Sequence, residues 1–139
     1  LIMHKNFNYN FKIYYEDTDA GGVVYYANYL KFLERARTEA LFDLSLSNSI
    51  LKKEFESLII VKSCNIEYKK SAYLEDSLSV SSYISSSSKT SITMNQSILR
   101  SDDQIVVADV HLVFVNEDVK PIKIPESIME KFKPYFKSK

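Results

Sequence analysis

The sequence predicts an α+β domain in which a curved, five-stranded antiparallel sheet wraps around one long helix. One segment has the 3.6-residue periodicity of a helix, and five segments alternate with the period of strands. The polar breaks between the later strands are short enough for hairpins. One helix cannot cover a flat sheet of five strands, so the sheet is expected to curve around it. A single domain is assigned to residues 1–139, because this length supports one substantial core.

The first predicted strand covers residues 8–15, where aromatic residues and isoleucine alternate with polar residues. A glycine-containing acidic loop follows, and a helix is predicted over residues 25–44. Its apolar residues recur on one face: Tyr29, Leu33, Ala36, Ala40 and Leu44. Glu34 and Arg37 are expected to pair on the outer side of this helix. A short amphipathic segment at residues 50–55 comes next.

Four long strands are predicted after these helices, each paired with its neighbour in sequence: residues 58–70, 76–85, 89–100 and 105–116. The last of them is apolar on both faces, which is typical of a central strand. Cys64, the only cysteine, is expected to be a small buried residue and leaves no Cys-pair zinc site or disulfide to build. A short helix beginning at Pro125 or Ser127 is predicted to end the fold.

The composition limits the classes of partner and the cellular location that are expected for this chain. The chain has 18 basic and 18 acidic residues, so no nucleic-acid partner is expected from overall charge. No apolar run reaches the length of a signal peptide or a membrane span, so a cytoplasmic protein is expected. The two histidines, His4 and His111, have no catalytic or metal-binding motif around them, and no metal site is predicted.

The acidic loop (residues 16–25) holds both glycines of the chain, Gly21 and Gly22, directly before the predicted helix. Asp19 therefore stands beside a helix N-terminus, where free N–H groups and the positive end of the helix dipole gather. Such N–H groups stabilise a carbonyl oxygen that becomes negative, and a carboxylate can attack the carbonyl carbon or activate water. The pattern favours acyl transfer to water. Two alternatives are a D-x-D metal site, as in manganese-dependent glycosyltransferases, and a purely structural cap and turn.

A longer stretch of sequence connects this hypothesis to a known protein family. Residues 14–41, "YYEDTDAGGVVYYANYLKFLERARTEAL", resemble the hotdog-fold acyl-CoA thioesterases, in particular the branch associated with the Tol-Pal cell-envelope system and 4-hydroxybenzoyl-CoA thioesterase. The segment "IEYKKSAYLED" and the order of elements extend the resemblance over most of the chain. It implies the hotdog fold, sheets joined edge to edge in a homodimer, pairing of dimers into a homotetramer, and active sites at the subunit interface.

The resemblance also implies roles for particular residues. Asp19 is the catalytic carboxylate, acting as nucleophile or general base, and the backbone N–H near Tyr26 polarises the thioester carbonyl. Gly22 and Val23 shape the same turn. The segment expected to hold the phosphates of coenzyme A, on the substrate bound by the partner subunit, contains Ser88, Lys89 and Thr90. Coenzyme A enters as part of the substrate, with no separate cofactor, and acyl-carrier-protein thioesters are the second substrate class.

One position departs from the Tol-Pal-associated branch, which usually has histidine where this chain has Tyr26; the hydroxybenzoyl enzyme has tyrosine there. A phenol is neutral at pH 7 and cannot act as the base. The backbone N–H role survives, because any residue except proline supplies it. The tyrosine leaves open a non-catalytic scaffold of the envelope system that binds acyl-CoA or acyl carrier protein. A hotdog dehydratase is a third reading, although it needs a histidine near the helix start.

Overall fold

The computed structural model describes residues 4–137. The strands are β1 (Phe7–Lys12), β2 (Leu58–Tyr68), β3 (Ser77–Ser87), β4 (Ser91–Arg100) and β5 (Asp103–Val115). The helices are α1 (Asn28–Asp43), α2 (Asn48–Phe55) and α3 (Glu126–Phe132), with short 3-10 turns at Tyr15–Asp17 and Lys133–Tyr135. All neighbouring strands of the single sheet are antiparallel, in the order β1-β3-β4-β5-β2. The predicted fold class is confirmed.

Helix α1 forms the centre of the core because its apolar residues return every three or four positions. Its buried residues are Tyr29, Phe32, Leu33, Ala36, Ala40 and Leu41. The helix lies mainly over β1 and β3, and the Phe32 ring packs 4.6 Å from the ring of Phe11. A fully buried Phe or Leu contributes about 2 kcal/mol through the hydrophobic effect, so this face anchors the helix to the sheet. No helix among residues 4–137 has the length and apolarity to cross a membrane.

Breaks in the strand register bend the sheet around α1. They occur in β2 between Val61 and Ser63, in β3 between Ile84 and Ser86, and in β5 at Ile105, opposite Ile98 and Leu99 of β4. A bulge of this kind bends its strand and increases the local twist. The concave face then carries the alternating apolar residues that the sequence predicts for β3 and β4, all of them buried: Leu78, Val80, Ile84, Ile92, Met94 and Ile98.

The prediction that every strand pairs with its sequence neighbour is wrong for β2. This strand pairs with β5 at the far edge of the sheet, and β3 pairs instead with β1 and β4. The residues between β2 and β3, the connecting segment (residues 69–76), cross the sheet and bind the acidic loop. A hairpin could not make this crossing, because its two strands would be adjacent in the sheet.

Cys64 is exposed, so the prediction that it is buried is wrong. Its partner across the ladder is the buried Val110, which shows that Cys64 does lie on the concave face. However, α1 packs over β1 and β3 and leaves the edge strand β2 largely uncovered. Position on a sheet face therefore does not guarantee burial at its edge.

Two predicted boundaries differ from the structure where the acidic loop begins and ends. β1 ends at Lys12, and Tyr15–Asp17 form a 3-10 turn in which the Asp17 carboxylate accepts a hydrogen bond of 2.8 Å from Tyr14 N–H. At the other end, Tyr25 N–H donates to Asp17 O at 3.1 Å, so residue 25 belongs to the loop and α1 begins at Asn28. Asp17 thus shapes the turn.

Several turns use residues other than glycine in the left-handed backbone region: Ser45, Glu56, Glu75, Ser101 and Val119, with φ between 51° and 70°. This conformation brings Cβ close to the backbone and costs roughly 1–2 kcal/mol for an ordinary residue. Gly22, with φ of 81°, is the one glycine in this region. The loop before α1 is thus where glycine relieves the strain.

A buried polar network fixes α1 to the sheet. Arg37 does not pair with Glu34 on the outer side as predicted: it turns inward, and its Nη1 donates to Gln96 Oε1 at 2.9 Å. Gln96 is fully buried and donates from Nε2 to Leu33 O at 3.1 Å and to Ser82 Oγ at 3.2 Å. Burial lowers the pKa of the Arg37 guanidinium from its usual value. The network satisfies polar groups that would otherwise be costly inside the core.

We expect Gln96→Leu to lower the free energy of unfolding by about 3 kcal/mol, because it leaves the Arg37 guanidinium and Ser82 without their buried partner. Gln104→Leu is the matched control: Gln104 is half-buried and makes one hydrogen bond, to Ser97 Oγ. Gln104→Leu should lower the free energy of unfolding by less than about 1 kcal/mol. Urea denaturation followed by circular dichroism measures both values. Equal stability of the two variants would contradict a stabilising role for the network.

Candidate active site

The acidic loop folds back on itself and brings Asp19 and Tyr26 to the same end of α1. Thr18 pairs with Val24 as an antiparallel bridge, and Asp19 N–H donates to Val23 O at 2.9 Å. Residues 20–22 form the reversal between them, and Gly22 N–H donates back to Asp19 O at 3.1 Å. Asp19 therefore begins the reversal, while Tyr26 directly follows the closed base of the loop.

One oxygen of the Asp19 carboxylate is fixed and the other is available. Oδ1 accepts a hydrogen bond of 2.8 Å from Gly21 N–H, which orients the carboxylate. For Oδ2, no hydrogen-bond partner lies within residues 4–137. The side chain is exposed. An oriented carboxylate with a free oxygen can act as a nucleophile or as a base.

The start of α1 offers free hydrogen-bond donors at the same end of the helix as this carboxylate. Its N-cap residue is Ala27, which has no side-chain oxygen to satisfy the first N–H groups. Within the described part of the chain, nothing accepts a hydrogen bond from the N–H of Tyr26 or Ala27. Asn28 holds the helix to the loop, because its Nδ2 donates to Asp17 O at 2.9 Å. Free N–H groups at a helix N-terminus favour an oxygen that carries negative charge.

Backbone hydrogen bonds from the connecting segment hold the acidic loop in place. Val24 N–H donates to Ala72 O at 2.9 Å, and Leu74 N–H donates to Gly22 O at 3.3 Å. Ala72 N–H in turn donates to the hydroxyl of Tyr29 at 3.0 Å. Tyr29 is buried in the first turn of α1, and burial raises the pKa of its phenol. The loop, the connecting segment and the helix start are therefore one hydrogen-bonded unit.

Arg100, at the end of β4, fixes the connecting segment. Its Nη1 donates to Ser71 O at 3.1 Å and to Asp76 Oδ2 at 2.8 Å, and its guanidinium lies 5.8 Å from the centre of the Tyr73 ring. The side chains of this ion pair are 30% and 22% exposed, so it is only partly screened by water. Sequence reasoning missed Arg100, since nothing near position 100 marks it as a partner of residues 71–76.

Tyrosines line the approach to the site. The Tyr26 side chain is 62% exposed, and its ring meets the Tyr68 ring edge-on, with centres 6.0 Å apart. Tyr68 also contacts Tyr29, with ring centres 5.7 Å apart. Tyr68 is the last residue of β2, and sequence reasoning had no signal that would join it to Tyr26. Gly22 and Val23 are half-buried in the loop, where the resemblance placed them.

The predicted phosphate-binding residues do not lie at this site within one chain. Ser88, Lys89 and Thr90 form the turn between β3 and β4, whereas the acidic loop lies at the other end of β3. β3 has 11 residues and spans roughly 35 Å at about 3.3 Å per residue. The Ser88 hydroxyl is held inside the turn by Ser91, with the two Oγ atoms 2.7 Å apart.

Near that turn, a groove of about 650 Å³ has hydroxyl groups, Lys62 and His111 in its lining. Ser88 and Thr90 line it, and Lys89 has an exposed side chain with no ion pair among the described residues. Within residues 4–137, no three His, Cys, Asp or Glu side chains are arranged to hold a metal ion.

Comparison with known proteins identifies the family. The model of the thioesterase-like superfamily matches residues 14–132. The acyl-CoA thioesterase YbgC of Haemophilus influenzae is 36% identical over 132 residues, covering 94% of this chain and 97% of the relative. The acyl-CoA thioester hydrolase YbgC of Escherichia coli O157:H7 is 39% identical over 129 residues, with coverage of 91% and 96%.

Comparison with solved structures points to the same family of proteins. A probable thioesterase from Bartonella henselae has a TM-score of 0.83 and 31% identity, covering 87% of this chain and all of its own. A variant of 4-hydroxybenzoyl-CoA thioesterase complexed with 4-hydroxybenzoyl-CoA has a TM-score of 0.86 at 21% identity, covering 91% of this chain and 98% of its own, and supports the fold. The fold is that of the hotdog thioester hydrolases. The chain belongs to the thioesterase-like superfamily, which confirms the predicted family and enzyme class.

The two glycines are expected to respond differently to alanine. Gly22→Ala should cost about 1–2 kcal/mol of stability, because Gly22 has φ of 81° while an added Cβ would meet nothing within 4 Å. At Gly21, an added Cβ would lie 3.3 Å from Asp19 Oδ1. Gly21→Ala should therefore leave stability nearly unchanged and lower kcat several-fold by shifting the carboxylate. Thermal melting and thioester hydrolysis of both variants test this, and identical effects of the two substitutions would contradict it.

Arg100→Gln should lower the free energy of unfolding by about 2 kcal/mol and reduce kcat, because the connecting segment loses its charged anchor and the loop above it loses orientation. Arg100→Lys, which keeps the charge, should recover part of the lost stability and part of the lost kcat. Lys70→Gln is the control from the same segment. Its pair with Asp103 is about half exposed at both side chains, and its loss should change stability by less than about 0.5 kcal/mol. If Arg100→Gln behaved like Lys70→Gln, the anchoring role would be wrong.

Proposed function

We propose that this chain hydrolyses acyl-CoA thioesters to the free acid and coenzyme A, with Asp19 as the catalytic carboxylate. The observation that carries the proposal is the free Oδ2 of Asp19 at the same end of α1 as the unsatisfied N–H groups of Tyr26 and Ala27. The names of the relatives support the substrate class. Coenzyme A belongs to the substrate, and the proposed reaction uses no other cofactor.

In the proposed reaction the thioester carbonyl oxygen accepts a hydrogen bond from Tyr26 N–H. As a nucleophile or water attacks the carbonyl carbon, negative charge develops on that oxygen, and the N–H and the helix dipole stabilise it. Loss of one such donor typically raises the barrier by about 3–4 kcal/mol. A peptide N–H is fixed in the backbone, so the stabilisation needs no reorganisation during the reaction.

Asp19 supplies the attacking group by one of two routes. As a nucleophile, Oδ2 bonds to the carbonyl carbon and the C–S bond breaks, and water then hydrolyses the resulting anhydride. As a general base, Oδ2 takes a proton from water while the water oxygen bonds to the carbon and the C–S bond breaks. In either route one water is consumed, and the acid and the CoA thiol are the products. An ordinary thiol has a pKa near 8.5, so the thiolate leaves without strong acid assistance and no histidine is needed.

A second copy of the chain is part of this proposal. Ser88, Lys89 and Thr90 lie roughly a full strand length from Asp19 of their own chain. To hold the phosphates of a substrate bound at an acidic loop, they must act on the loop of a partner. The uncovered edge strand β2 has free backbone groups along one side that can pair with the same strand of another copy. A homodimer, alone or paired into a homotetramer, fits both features.

Tyr26 supports one alternative. Where the Tol-Pal-associated branch has histidine, the chain has an exposed tyrosine. A scaffold that binds acyl-CoA or acyl carrier protein without turnover is therefore the second candidate. A link to the Tol-Pal system and a cytoplasmic location remain predictions. Binding of coenzyme A without hydrolysis of any acyl-CoA or acyl-carrier-protein thioester would favour the scaffold.

Asp19→Asn is expected to reduce kcat for acyl-CoA hydrolysis by at least about a hundredfold, which is the usual contribution of a catalytic base. The amide oxygen of asparagine can still accept the Gly21 N–H bond, so the loop should keep its fold. Glu16→Gln removes a neighbouring carboxylate that is exposed and makes no hydrogen bond or ion pair within residues 4–137. It should retain wild-type activity.

The assay follows release of the CoA thiol with a thiol-reactive dye over a panel of acyl-CoA thioesters, with melting temperatures as a check on folding. Wild-type turnover by Asp19→Asn would show that another group performs the chemistry. Absence of turnover by the wild-type protein on the whole panel, with measurable CoA binding, would overturn hydrolysis in favour of the scaffold.

A further inference from the structure

Three tyrosines connect the site to the core in a continuous series, the tyrosine ladder (Tyr26, Tyr68 and Tyr29). The Tyr26 and Tyr68 rings are nearly perpendicular, at 89°, and the Tyr68 and Tyr29 rings are inclined at 50°. Tyr29 is 3% exposed and its hydroxyl is held by Ala72 N–H, so it is a fixed base for the other two. Tyr68 is thus held in place although 42% of it remains exposed.

We propose that Tyr68 is a specificity-determining residue that limits the size of the acyl group accepted beside the Tyr26 N–H. This inference rests on the proposed thioester hydrolysis. Tyr26 supplies both the N–H donor and the first ring of the ladder, and the Tyr68 ring stands edge-on to it, 6.0 Å away. In this proposal, an acyl group whose carbonyl is held at that N–H extends past the Tyr26 side chain toward the Tyr68 ring.

The substrate has two halves, the acyl group and coenzyme A, and their different polarity decides which half contacts the tyrosine ladder. From the carbonyl carbon, the acyl group and the pantetheine arm leave in different directions. The ladder presents aromatic faces and edges, and the Tyr68 hydroxyl has no hydrogen-bond partner within residues 4–137. Burial is the main cause that raises the pKa of the Tyr68 phenol, so it carries no charge at neutral pH. Such a surface suits an apolar acyl group, whereas the amides and phosphates of coenzyme A need polar partners.

The test measures kcat/KM for acetyl-, butyryl-, hexanoyl-, decanoyl- and benzoyl-CoA with the wild type, Tyr68→Phe, Tyr68→Leu and Tyr68→Ala. Tyr68→Phe keeps the ring and should keep the wild-type order of substrates. Tyr68→Ala should raise the ratio of kcat/KM for decanoyl- or benzoyl-CoA over acetyl-CoA by about tenfold or more, which is the usual effect of pocket volume on selectivity. Tyr68→Leu should give an intermediate ratio and provides a second variant if the alanine protein is unstable.

Two controls separate selectivity from general damage. Tyr83→Ala makes the same substitution on β3, where the ring contacts His4 and Lys137 rather than the loop, and should leave the ratio unchanged. Because Tyr68 is on the edge strand β2, melting temperature and size-exclusion chromatography accompany each variant. A loss of activity that is equal for all substrates and accompanied by dissociation or unfolding would show a structural role and overturn the inference.

Other outcomes are also decisive. If Tyr68→Ala raised KM equally for every thioester and left the ratio unchanged, the pantetheine arm and not the acyl group would contact Tyr68, and the inference would be wrong. If Asp19→Asn abolished hydrolysis while the Tyr68 variants kept the wild-type ratios, only the assignment of Tyr68 would fail. If the wild-type protein hydrolysed no thioester in the panel, the proposed function would fail and this inference with it.

Discussion

The hydrogen bonds between the acidic loop and the connecting segment are the constraint on which the site depends. Val24 N–H and Gly22 O are both satisfied by the segment between β2 and β3. That segment is held in turn by Arg100 of β4 and Tyr29 of α1. Because each partner comes from a different element, the loop is positioned only when the sheet and the helix are both formed. Folding of the chain therefore also positions the acidic loop.

This arrangement also selects which polar groups remain free for chemistry. Of the two described aspartates in the loop, Asp17 uses its carboxylate and its carbonyl to close the turn and hold Asn28. Asp19 uses one oxygen to fix itself to Gly21 N–H. Asp19 thus keeps one carboxylate oxygen free, at the same end of α1 as the free N–H groups of the uncapped helix start. Acidic residues two positions apart thus have separate tasks, and the difference arises from backbone geometry rather than residue type.

The sequence predicted those features that depend on local pattern. The periodicity of α1 and the alternation in β3 and β4 gave the elements and most of the buried face. The glycine pair before the helix pointed to Asp19, whose catalytic role stays a prediction. Features that depend on distant partners were missed: the pairing of β2 with β5, the exposure of Cys64, the inward turn of Arg37 toward Gln96, and the anchoring by Arg100. No spacing within one segment records which strand lies at an edge or which side chain 59 residues away accepts a hydrogen bond.

The left-handed turns also bear on how this protein could change. Among residues 4–137, five residues other than glycine adopt positive φ, including the β-branched Val119. Each stores roughly 1–2 kcal/mol of conformational strain. None of the five belongs to the acidic loop, and the two glycines are both in it. The fold therefore holds reserve stability at turns outside the acidic loop, where substitution by glycine or asparagine can relax the backbone. Stabilising substitutions at these turns could offset destabilising changes near Asp19 during evolution. New acyl preferences can then arise without loss of the fold.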